Sequence, residues 1–80
     1  MTTERDHAVV ERVRREAGLS VSDLWLRYFA LGGAETAGRI ESYLDGHVEL
    51  DGPQYDVLAH ALNERLAEIG RAHAVPYRTE

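Results

Sequence analysis

The sequence predicts an all-α fold, a four-helix orthogonal bundle with an extended C-terminal tail. Three observations predict it. Apolar residues recur at three- and four-residue steps in four separate stretches. Glycines at 18, 32–33, 46 and 70 punctuate those stretches. The one alternating segment, His47 to Asp51, has no second strand to pair with. Eighty residues make one domain at most, so residues 1–70 are read as a single helical domain and 71–80 as its tail.

The first helix is expected from Glu4 to Ala17, capped by Thr3, with Val9, Val10, Val13 and Ala17 as its apolar stripe. Gly18 stops it. Ser20 opens the second helix, with Asp23 three residues on in a variant capping box. Between Val21 and Leu31 apolar side chains then point nearly all around the axis, and only Asp23 and Arg27 mark a polar strip. A helix of that kind is either central to its fold or covered by another chain. The third helix is expected over about Ala34 to Asp45, with Ala37, Ile40 and Leu44 inward and Tyr43 beside them. Val48 and Leu50 read as a loop pinning two side chains onto the core.

The fourth helix has the strongest signature. Asp51 or Gly52 caps it, Pro53 lies in the first turn, and Gln54 completes a capping-box pattern with Asp51. Tyr55, Leu58, Leu62, Leu66 and Ile69 form its stripe, flanked by Ala59 and Ala61, and Gly70 ends it. In the tail, Val75, Pro76 and Tyr77 are the residues expected to dock on the body.

Composition excludes several classes of function. There is no cysteine, hence no disulfide framework and no thiolate metal site. The longest nearly apolar run, Leu24 to Leu31, is interrupted by Arg27 and falls short of the roughly 20 residues a membrane helix needs. The absence of cysteine and of an apolar leader makes a cytoplasmic location the expectation. All nine cations are arginine, and the net charge is −5. Residues 34–52 alone carry −4, which disfavours nucleic acid because phosphate neutralisation supplies much of that affinity.

No motif carries catalysis. His7, His47, His60 and His73 make no zincin-type pair, and no glycine-flanked serine elbow or phosphate loop is present. No enzyme, cofactor or metal is expected. An acyl-carrier reading fails as well, because Ser22-Asp23-Leu24 reverses the order that the prosthetic arm requires. The sharpest feature is the aromatic cluster of Trp25, Tyr28 and Phe29. It reads first as core and also as an interface, since contiguous aromatics dominate binding hot spots.

From Val13 to Leu66 the order of features resembles the lambda-repressor-type helix-turn-helix. Gly18-Leu19-Ser20 leads into Asp23-Leu24, followed by a glycine turn, Ile40-Glu41, Gly46, Pro53 and a final helix with Leu58, Ala61 and Leu62. The resemblance implies that Glu35, Thr36, Arg39 and Ser42 would face bases in a major groove. Here the second helix is longer than in that family, and the reading helix holds one arginine against three acids. The segments LWLRYFALGG, DVLAHALNERLAEIG and VPY also resemble a group of small uncharacterised helical proteins of high-GC Gram-positive bacteria. That group implies no activity.

These readings converge on a small regulatory adaptor, a protein–protein interaction module. Its expected contact residues are Trp25, Leu26 and Phe29 with Glu35, Arg39 and Glu41 from the acidic stretch. Its partner is another protein or a second copy in a homodimer. The alternative is a DNA-binding transcriptional regulator of helix-turn-helix type. It would dimerise through the same aromatics and use Arg12, Arg14, Arg15 and Arg39 on phosphates.

Overall fold

The computed structural model describes residues 6–72 and 75–78, and among these it is all-helical: α1 (Asp6–Glu16), α2 (Val21–Ala30), α3 (Ala37–Leu44) and α4 (Gly52–Glu68). The expected Thr3 cap and His73 lie outside the described residues. α4 is the longest helix, and each of the other three packs against α4 or against a neighbour that does. Its Tyr55, Leu58, Ala59, Ala61, Leu62 and Leu66 are buried against Val10 and Val13 of α1, Leu24 and Tyr28 of α2, and Ile40 and Leu44 of α3. Val48 and Leu50 close the core from the α3–α4 loop, as the sequence suggests.

The caps act as their chemistry dictates. Ser20 accepts the Asp23 amide at 3.0 Å, and Asp51 accepts the Gln54 amide at 2.9 Å. Gln54, however, does not reach back to complete the reciprocal box. Its side-chain oxygen accepts instead from the Tyr28 hydroxyl and, at 2.9 Å, from the Ala34 amide.

That diversion explains where α3 departs from expectation. It begins at Ala37, not Ala34, and Thr36 caps it by accepting the Arg39 amide at 3.1 Å. The Ala34 amide is held by Gln54 and the Glu35 amide by the Tyr28 hydroxyl at 2.8 Å. The Glu35 carbonyl takes the Trp25 indole N–H at 2.9 Å. With those backbone groups bonded to other elements, the chain stays non-helical until Thr36. α4 also ends earlier than its apolar stripe: Ile69 is the C-cap and is 39% exposed.

Candidate functional site

Position on the helical wheel decides which α2 side chains stay outside. Leu24 and Tyr28, four residues apart, point into the core and are fully buried. Leu26 and Phe29 lie on the opposite side, one turn apart, and remain 57% and 58% exposed. Ala30 and Leu31 extend the exposed apolar surface to the helix end. Trp25 lies between the two sides and is half-buried. Its ring stacks on Phe29 with centroids 5.2 Å apart and planes 22° from parallel.

The expected contact residues are therefore mostly, but not all, brought together. Trp25 is tied to Glu35, and Glu35 pairs with Arg39 at 3.3 Å, so Trp25, Phe29, Glu35 and Arg39 form one connected group with Leu26 a turn away. Glu41 does not join it. Two residues beyond Arg39, it is rotated about 200° around α3, onto the other shoulder of that helix.

The flank of the α2 face is fixed by charge. Arg27 grips Glu68 with two bonds of 2.9 and 2.8 Å, and Arg65 adds a contact to Glu68 at 3.6 Å. The Arg27 bond lowers the Glu68 pKa from its ordinary carboxylate value. On α1, Arg14 and Arg15 both bond to Glu11, whose pKa falls for that reason, and Arg12 approaches Glu16 at 4.0 Å.

Asp6, His7, Tyr43, His47, Glu49 and Arg78 line a cleft of about 380 Å³. The Tyr43 hydroxyl is buried there with no hydrogen-bond partner among the described residues, and burial raises its pKa. His47 and His60 are exposed, and His7 packs edge-on to Tyr43. Among the described residues, no group of three or more His, Asp or Glu could hold a metal ion. No described helix is long and apolar enough to cross a membrane.

Sequence reasoning missed Asn63. It is a polar side chain only 1% exposed, and it bonds both backbone groups of Val75. The signal was available, because Asn63 stands four residues after buried Ala59, inside the apolar stripe of α4. Arg78 was also missed; no pattern in the tail marks it.

Fold and face together define a small all-α module with an open aromatic side on α2. In comparisons with known proteins, no family model, curated protein or solved structure matches the chain.

Proposed function

We propose that the protein is a non-enzymatic regulatory adaptor that binds a partner protein through the outward side of α2. The observation that carries this reading is the exposure of Leu26 and Phe29, each more than half open and adjacent on one helix. Burying such a side chain contributes about 1.5–3 kcal/mol, so two of them with the Trp25 edge make an effective anchor. Asp23 borders the patch on a chain of net charge −5. The complementary partner surface is apolar with basic residues at its rim.

Duplex DNA is the weaker candidate. The helix that would enter the groove carries Arg39 already paired with Glu35, and the arginines of α1 are engaged by Glu11 and Glu16.

The test compares wild type with a Leu26→Ser, Phe29→Ser double variant. Both side chains are exposed, so stability is expected to fall by about 0.5 kcal/mol at Leu26 and by about 1 kcal/mol at Phe29, whose stacking on Trp25 is lost. A partner isolated with the wild type, then purified, is expected to bind the double variant at least tenfold more weakly, through an apolar segment with basic flanks. Equal affinity for both chains would overturn the proposal. A wild-type dimer abolished by the double variant would give the face to a second copy instead.

A further inference from the structure

The tail does not merely lie on the body; it is held as a bound peptide is held. Asn63 accepts the Val75 amide at 3.3 Å and donates to the Val75 carbonyl at 2.9 Å. Tyr55 donates its hydroxyl to the Pro76 carbonyl at 2.9 Å, and Asp56 accepts the Arg78 amide at 2.7 Å. Four main-chain groups within four residues are thus read by side chains of α4. This is how grooves bind extended segments: main-chain bonds give affinity and a few side-chain sockets give selectivity.

Two sockets are present. Val75 is 3% exposed, inserted into the core beside α4. The Arg78 guanidinium, on a residue that stays partly open to water, is met by three groups. It meets the Asp6 carboxylate through two nitrogens at 2.9 and 2.8 Å, donates to the Leu50 carbonyl at 2.6 Å, and lies 4.2 Å over the Tyr55 ring. A carboxylate, a carbonyl and an aromatic face together form an arginine cage. Asp6 and Asp56, on a chain of net charge −5, add attraction for a basic segment.

We propose that this groove is a recognition site for an extended segment of a partner protein that carries an aliphatic residue and, three positions on, an arginine. The chain's own Val75–Arg78 is its resident competitor. It is joined to α4 by only residues 69–74, so its effective concentration is high and an incoming segment binds well only when the tail is weakened. This site is separate from the α2 face and stands or falls independently of it.

The experiment uses the full chain and a labelled synthetic peptide with the sequence of residues 71–78, followed by fluorescence anisotropy. An Arg78→Ala chain, with helix content checked by circular dichroism, is expected to bind the peptide at least tenfold more tightly than wild type. A peptide whose final arginine is alanine is expected to bind that chain at least tenfold more weakly, and Asp6→Asn in the chain to weaken the intact peptide similarly. No saturable binding to a folded Arg78→Ala chain would overturn the proposal, as would equal binding of the two peptides. Should Arg78→Ala fail to fold, isotope-labelled wild type with the peptide in millimolar excess decides. Val75 and Arg78 amide resonances of the labelled chain that move as its own tail is released support the site, and unmoved ones overturn it. A wild-type dimer that the peptide dissociates would give the groove to a second copy's tail and overturn the partner named here.

Discussion

A Gly33→Ala chain is expected to lose about 3 kcal/mol of stability, and its melting midpoint to fall by roughly 12 °C or more. The space for one methyl group does not exist. A Cβ at residue 33 would lie 2.3 Å from the Tyr28 ring. The ring cannot yield, because Tyr28 is fully buried and its hydroxyl is fixed between Gln54 and the Glu35 amide. Relief would have to come from the loop backbone, which carries the Ala34 and Glu35 bonds that start α3 and seat Trp25. Gly38→Ala supplies the contrast. That residue lies inside α3 with open space around its Cα, so alanine there is expected to stabilise by about 0.5–1 kcal/mol. Thermal and urea unfolding of the two variants beside wild type checks both signs. Equal, small effects would show that the Gly33–Tyr28 contact is looser than described.

Asn63→Ala is expected to cost about 2–4 kcal/mol. The buried amide and carbonyl of Val75 lose their partners together, and each unsatisfied group costs about 1–3 kcal/mol. Part of that cost is avoided if the tail lifts into water, at the expense of exposing Val75. Faster amide exchange at Val75 and Arg78 should therefore accompany the lowered unfolding free energy, while amides in the middle of α4 slow or quicken only with global stability. Asn63→Asp separates the two bonds, because it keeps the acceptor for the Val75 amide and removes the donor to its carbonyl. A wild-type exchange pattern in Asn63→Ala would mean the tail is held by Tyr55, Asp56 and Asp6 alone.

Much of the architecture can be read directly from local chemistry. Ser20 and Asp51 cap where short polar acceptors precede apolar periodicity, and the inward stripes of α1 and α4 follow from spacing alone. The open side of α2 is also legible. A short chain cannot cover apolar groups on every side of one helix, and Leu26 and Phe29 are the ones left out. What escaped prediction depends on contacts between distant residues. α3 starts late because Tyr28, Trp25 and Gln54 occupy the backbone of residues 34 and 35. Gln54 sits at the right offset for a capping box, yet its side chain has a better-placed donor in Tyr28. Arg78 becomes significant only once folding brings Asp6, Leu50 and Tyr55 around it. Glu41 belongs to the same acidic stretch as Glu35 and lies two residues from Arg39, but the turn of the helix separates it from both.

The central claim is that the outward side of α2 is open to water in the free chain. Hydroxyl-radical footprinting of the purified protein, read residue by residue by mass spectrometry, tests it most directly. Leu26 and Phe29 are expected to be oxidised much faster than Leu24 and Tyr28 on the same helix. Protection of Leu26 and Phe29 equal to that of Leu24, in a dilute and monomeric sample, would contradict it.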